Sequence, residues 1–191
     1  MKNLVLISFV ILALIQWIVP GSMIWKKERI LDRGEAFKFE TAPVDPSNPF
    51  MGKFIYLNFK EAYSKFPVHE DYISGEKIFV SYKKDPKGFA TISGISKKRP
   101  ATTGYLETTV SYLNREKNSR ILFFSLPFNR LYMDEYKAPR AETVYGERSR
   151  DTTAHTYALV SMYKGDAIIK DVFINDTSIR EFININKNTS E

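Results

Sequence analysis

Few side chains in this chain could do covalent or acid–base chemistry, and their spacing narrows what that chemistry could be. Cysteine is absent, which removes thiol nucleophiles, thiolate metal sites and disulfides. Imidazole comes only from His69 and His155, far apart, with no serine or carboxylate at a triad or metal-ligand spacing around either. No metal and no cofactor is expected. Ser22, with Lys26 and Lys27 behind it, admits a Ser/Lys dyad, the nucleophile and base of a membrane-surface serine peptidase. That chemistry needs a desolvated amine within reach of the hydroxyl, whereas these lysines read as solvated. The remaining candidates are polar groups in apolar settings: Asp45, Arg130, Tyr132, Glu135 and Glu142. Each also has a structural reading, with Asp45 as a turn cap, Arg130 and Glu135 as an ion pair, and Glu142 as a helix-start charge.

The elements that must position these groups begin with an apolar run. Residues 4–19, LVLISFVILALIQWIV, carry no charge, and the uncharged stretch continues through Trp25. A helix over residues 4–25 would be about 33 Å long at about 1.5 Å per residue, enough for a hydrocarbon core of about 30 Å. Trp17, Trp25 and the Lys26–Lys27 pair suit the far interface. A cleaved signal peptide is the alternative, because Val19-Pro20-Gly21 precedes Ser22 with small-enough residues, but the run is longer than an ordinary h-region and stays apolar beyond that point. The expected organisation is a membrane anchor over residues 1–27, one β-rich domain over 28–185 and a disordered tail over 186–191. Lys26, Lys27 and Arg29 outnumber Lys2 and the amino terminus, which by charge counting favours a cytoplasmic domain. The N-terminal position resembles a retained export signal, and an extracytoplasmic domain is the expectation adopted.

The net charge is +6, with basic and acidic residues interleaved over most of the chain and the largest basic clusters at residues 26–29 (KKER) and 97–99 (KKR). No nucleic-acid motif accompanies them, so anionic headgroups are the better match and no nucleic-acid partner is expected.

After Gly34 the pattern changes to period two. AFKFETA reads as a strand, PVDPSNP as turn punctuation, and GKFIYLNFK as a strand with Ile55, Leu57 and Phe59 on one face and Phe54 and Tyr56 on the other. Apolar residues on both faces predict a central strand, covered on both sides. Asp85-Pro86-Lys87-Gly88 predicts a type I turn between two alternating segments. YLETTVSYL and RILFFSLPF predict a second hairpin across NREKNS, and TYALVSMY and DAIIKDVFIND a third across Lys164-Gly165-Asp166. SIREFI is expected to add a last strand. A short helix of about ten residues is expected around Pro139, with Glu142 in its first turn and Ala141, Val144 and Tyr145 buried. The fold class is mainly β: an N-terminal transmembrane helix, then a single antiparallel domain of roughly eight strands, barrel-like or a curled sandwich, with one short helix.

Residues 45–59, DPSNPFMGKFIYLNF, resemble the signature of a bacterial family of membrane-anchored proteins named after a GDYxxLxY motif. The motif positions are Gly52, Phe54, Leu57 and Phe59, preceded by Asp45, Pro46 and Pro49. The likeness extends to PGSMIWKKERIL, AFKFETAPVDP, LPFNRLYMDE with KAPRAE, and GDAIIKDVFIND, nearly the whole chain. Lys53 stands where the family has aspartate, and Phe54 and Phe59 where it has tyrosines. The retained positions offer rings, a leucine and a glycine, none of them a titratable group for acid–base work. The resemblance implies a cell-envelope protein of the bacterial inner membrane, single-pass, and often linked with multi-spanning membrane proteins; no activity is established for the family.

The expected function is therefore non-enzymatic: an accessory or binding subunit held in the bilayer through residues 4–25 beside a membrane-protein partner. The alternatives are the Ser22 peptidase and a lipid or glycan carrier, the latter requiring a lined cavity between the strands.

Overall fold

The computed structural model describes residues 2–43, 54–59, 66–67, 71–116, 119–151 and 153–185. Helix α1 spans Lys2–Arg33 and passes through Pro20 without a break. Its apolar side chains, from Val5 to Trp25, are exposed on every side. A helix apolar all round with no protein against it is a poor structure in water. It is long and apolar enough to cross a membrane.

The helix ends where its last turn meets the sheet. Gly34 N–H donates to the Ile30 carbonyl at 3.0 Å. The same oxygen accepts from the buried Ser161 hydroxyl at 2.7 Å, and Lys170 Nζ reaches the Leu31 carbonyl at 2.9 Å. Two of the carbonyls left open at a helix C-terminus are thus satisfied by side chains of the β domain. Helix and domain are joined by these bonds as well as by the chain.

Strand β1, Glu35–Ala42, follows at once and buries Phe37, Phe39 and Thr41 on one face, as the period-two pattern predicts. The next described strands are β2, Phe54–Tyr56, β3, Asn58–Phe59, and β4, Phe66–Pro67. Strands β5, Lys77–Lys84, and β6, Ala90–Ser96, form the first hairpin. Asp85 accepts from Gly88 N–H at its turn, and Gly88 takes φ +85°, a conformation glycine adopts without strain. Strands β7, Tyr105–Glu116, and β8, Ser119–Phe124, form the second, with a shorter connection than NREKNS suggested because pairing continues to Glu116↔Ser119. Strand β9 is Arg130–Tyr132 and helix α2 is Ala138–Arg150. Strands β10, Thr156–Tyr163, and β11, Asp166–Ile174, turn through Lys164 and Gly165, both at positive φ, the two-residue hairpin loop that suits strand twist.

Among the described residues two five-stranded antiparallel sheets result, ordered β12 (Thr177–Ser178), β11, β10, β1, β3 and β4, β8, β7, β5, β6, with β2 and β9 as a separate two-stranded ribbon. Bridges Lys38↔Phe89 and Leu106↔Gly165 tie the sheets together, and register shifts at Ser81/Tyr82, Val110/Tyr112 and Leu159/Val160 bend the strands. The outcome is the expected mainly β architecture, a curled half-barrel of antiparallel sheet behind an apolar helix. Its interior is filled by rings. Phe39 lies 5.3 Å from both Tyr82 and Phe128 and 6.0 Å from Phe59, in edge-to-face contacts.

Three expectations are corrected. GKFIYLNFK is not one central strand. It splits at Leu57, whose N–H donates to the Asn129 carbonyl at 2.8 Å; β2 pairs with β9, while β3 pairs with β1 as the edge of its sheet. Ile55, Leu57 and Phe59 do face inward, with Phe54 and Tyr56 half-buried. SIREFI is not a strand but helix α3, Ile179–Ile185, burying Ile179 and Ile183. Ser178 Oγ accepts from Arg180 N–H at 3.2 Å and Glu181 stands three residues after Ser178, a capping-box spacing. The division of the motif strand, the three-residue strand β9 and the two-residue strands β4 and β12 raise the segments from roughly eight to twelve among the described residues. Finally, α2 has no acidic residue in its first turn, because it starts at Ala138 and Glu142 falls in its second. Ala141 and Tyr145 are buried as expected, and Val144 partly.

Candidate functional site

The β2–β9 ribbon brings two of the expected site residues together. Leu131 and Ile55 pair across it and point into the core, which turns their neighbours outward: Phe54 opposes Tyr132, and Tyr56 opposes Arg130. The Phe54 and Tyr132 rings lie 5.6 Å apart, and the Arg130 guanidinium sits 4.8 Å from the Phe54 ring centroid. Arg130 and Tyr132 are exposed, the latter at 63%. An exposed arginine over the face of one ring can turn its hydrogen-bond donors to an external acceptor.

Glu135 lies in the exposed turn leading from this ribbon into α2. Glu142 is half-buried on α2, which packs on β2, and burial pushes its carboxyl above the ordinary carboxylate value. Asp45, Pro46, Pro49 and Gly52, together with His69 and the tail at 186–191, lie outside the described residues.

A groove of about 500 Å³ opens beside the ribbon and shares Tyr56 with it. Its walls are rings, with Tyr112 stacked on Phe123 at 4.1 Å between centroids, and neutral amides and hydroxyls, with Asn58, Asn129 and Ser125 among them. No carboxylate, imidazole or amine lies in the described lining. The arrangement suits recognition of an extended chain, whose backbone meets amides and whose side chains meet rings. Sequence reasoning missed Tyr112, Phe123, Asn58 and Asn129. The one available signal was a large ring at Tyr112 beside Ser111, where period two places one of the pair outside; the β7 bulge puts both outside.

A second cleft, of about 540 Å³, holds more titratable groups, including Glu40, Asp151 and His155. His155 Nε2 stands 3.7 Å from Glu40 Oε1, and its ring stacks on Phe89 at 5.3 Å. Asp151 takes both the N–H and the hydroxyl of Thr153 on one oxygen; these bonds outweigh its burial and, with Arg148, hold its carboxyl below the ordinary range. That is a turn cap rather than a proton-transfer group.

Tyr145, fully buried beside Thr41, has its phenol pushed up to about 12 by burial, which its contact with Thr41 only partly opposes. Tyr157, whose hydroxyl donates to Asp176 at 2.8 Å, is likewise raised to about 12 by burial and then by Asp176. A phenol whose pKa is higher in the fold than in the unfolded chain stabilises the fold fully below about pH 10, and that contribution is lost as pH rises toward about 12. Unfolding midpoints measured from pH 9 to 12 are expected to fall across this window. Tyr145→Phe should flatten the fall while leaving the pH 8 midpoint unchanged or higher; an equally steep fall in the variant would contradict the assignment.

Ser22 lies on an exposed part of α1, with its hydroxyl donating to the Val19 carbonyl at 2.7 Å, the local bond a helical serine makes. The Lys26 amine bonds Asp166 at 2.8 Å, toward the sheet. These contacts give a Ser/Lys dyad no supporting geometry.

No curated protein matches the chain, and no solved structure does. A family model described as GDYXXLXY protein matches residues 16–172, from the middle of α1 to β11, and so takes in the ribbon, the groove and the helix junction together. With that span matched, the chain belongs to the GDYXXLXY family.

Proposed function

We propose that the protein is a non-enzymatic, membrane-anchored accessory subunit of the bacterial cell envelope that docks a membrane-protein partner through the ribbon and its groove. In this reading α1 crosses the inner membrane once and the β domain is extracytoplasmic. The carrying observation is the composition of the ribbon face: Phe54, Tyr56, Arg130 and Tyr132 form one outward patch continuous with a ring-lined groove. Aromatic residues and arginine are the types that concentrate binding energy at protein interfaces. The patch also stands away from the anchor, since β1 runs from Gly34 toward its pairing with β3 over eight residues, about 25 Å at about 3.3 Å each.

The test is recovery of a partner from native membranes by the full-length protein. Arg130→Ala with Tyr132→Ala is expected to reduce partner recovery at least tenfold while moving the unfolding midpoint by less than about 2 °C, since surface substitutions are usually near neutral. Undiminished recovery by the double variant would reject the patch as the docking surface.

A further inference from the structure

The junction of α1 with the β10–β11 hairpin carries a cluster that neither the family nor the groove explains. The Arg29 guanidinium lies 5.1 Å from the Trp25 ring and 5.9 Å from the Tyr163 ring, and its Nε is buried without a hydrogen-bond partner among the described residues. The Lys164 amine lies 5.4 Å from the same Tyr163 ring. Burial alone would raise the Tyr163 phenol, yet Lys164, Arg29 and Arg33, which also hydrogen-bonds it, hold it below its ordinary value. Three cations, Arg29, Arg33 and Lys164, thus act on Tyr163, while Asp166 is committed to Lys26 at 2.8 Å and Glu28 and Asp32 of α1 are exposed.

Depth along the helix gives this cluster its surroundings. If the apolar run fills the hydrocarbon core, the headgroup layer beyond it is about 5–7 Å thick, or about four helical residues at about 1.5 Å each. Trp25 through Arg29 then occupy that layer. The Lys26–Asp166 bond and the Arg29–Tyr163 contact bring the tip of the β10–β11 hairpin to the same level. An indole at the interface, with the Arg29 guanidinium and the Lys164 amine beside the Tyr163 ring and Arg33 one turn further out, matches a phosphodiester: the ring meets the glycerol region and the donors meet the phosphate oxygens.

We infer that Trp25, Arg29, Arg33, Tyr163 and Lys164 form a binding site for the headgroup phosphate of an anionic phospholipid, which seats the β domain against the bilayer surface. This rests on the reading of α1 as a membrane anchor. A phosphate oxygen takes the donors of Arg29, and the lipid's net negative charge selects it over a zwitterionic lipid at this positive junction.

The experiment uses the full-length protein. Flotation with vesicles of phosphatidylcholine alone tests the anchor; protein left unbound would reject membrane insertion itself. Dihexanoyl phosphatidylglycerol, dihexanoyl phosphatidylcholine and inorganic phosphate are then titrated into protein held in neutral maltoside micelles, with binding read by Trp25 fluorescence in a Trp17→Phe background. The site predicts saturable phosphatidylglycerol binding at least about fivefold tighter than phosphatidylcholine, from a contribution of about 1 kcal/mol per cation near an anionic surface. Lys164→Asn removes one charge while keeping a residue that tolerates the positive φ of 51°. It should weaken phosphatidylglycerol about fivefold, and Arg29→Gln with Lys164→Asn about 25-fold, at unchanged phosphatidylcholine affinity. Equal affinity for the two lipids, or full phosphatidylglycerol affinity in a folded Lys164→Asn variant, would overturn the site. Inorganic phosphate binding as tightly as phosphatidylglycerol would make it a free-anion site and equally reject the lipid.

Discussion

Phe39→Ala is expected to remove about 3–5 kcal/mol of stability, the usual cost of deleting a buried phenyl ring. Phe39 has no exposed surface, and its ring meets three others: Phe59 from β3, Tyr82 from β5, and Phe128 from the segment between β8 and β9. Those partners come from both sheets and from the connection that leads to the ribbon, so the cavity left by alanine opens at the point where all three units meet. The rings around it are held by their own strands and can close the space only partly. With total stability of about 5–15 kcal/mol for such a domain, this one change consumes much of the margin. A fall in the unfolding midpoint of about 10 °C is expected from calorimetry of the full-length protein. A fall below about 2 °C would mean the ring cluster is not the keystone described.

Gly34→Ala is expected to cost about 3 kcal/mol for a different reason, overlap rather than a void. A β-carbon at Gly34 would overlap both the Ile30 carbonyl oxygen and the Ser161 hydroxyl, far inside contact distance. One of those atoms belongs to the helix backbone and the other to a fully buried serine, so neither can move away alone. Separating them breaks the Ser161 bond and leaves a buried hydroxyl without its partner. The helix should then lose its register on the sheet. Hydrogen exchange at the Gly34 amide is expected to accelerate together with a lower midpoint. Gly21→Ala is the matched control, because a β-carbon there would meet nothing within 4 Å, and it should leave both unchanged. Equal effects from the two substitutions would contradict a close-packed junction.

The parts of this fold that are legible in the sequence are those where local chemistry and tertiary structure agree. Asp85-Pro86-Lys87-Gly88 and Lys164-Gly165 mark turns by backbone preference alone, and both hairpins form around them. Pro139 similarly marks the start of α2. The division of residues 54–59 is hidden because Ile55, Leu57 and Phe59 keep facing inward while the hydrogen-bonding partner changes from β9 to β1. Alternation reports which face is buried, not which strand is paired. Helix α3 reads as a strand because Ile179, Phe182 and Ile183 are too few to separate the two periods; the Ser178-to-Glu181 capping spacing is the local signal that favours the helix.

The same distinction separates the site residues. Arg130 and Tyr132 stand out as polar groups in an apolar run, and the ribbon unites them with Phe54, to which sequence pattern assigns only a packing role. The groove's other wall is not legible. It depends on the Val110/Tyr112 register shift and on the spacing between β3 and β8, neither of which any local pattern encodes.

The most direct measurement of the docking proposal is site-specific photocrosslinking in intact membranes. A photoreactive residue at position 132, on the ribbon, is compared with one at Lys87, on the exposed β5–β6 turn. A discrete crosslink is expected from position 132 to one integral membrane protein, lost when Arg130→Ala is added, with none above background from position 87. Crosslinks from position 132 no stronger than those from position 87, or to lipid alone, would contradict the proposal.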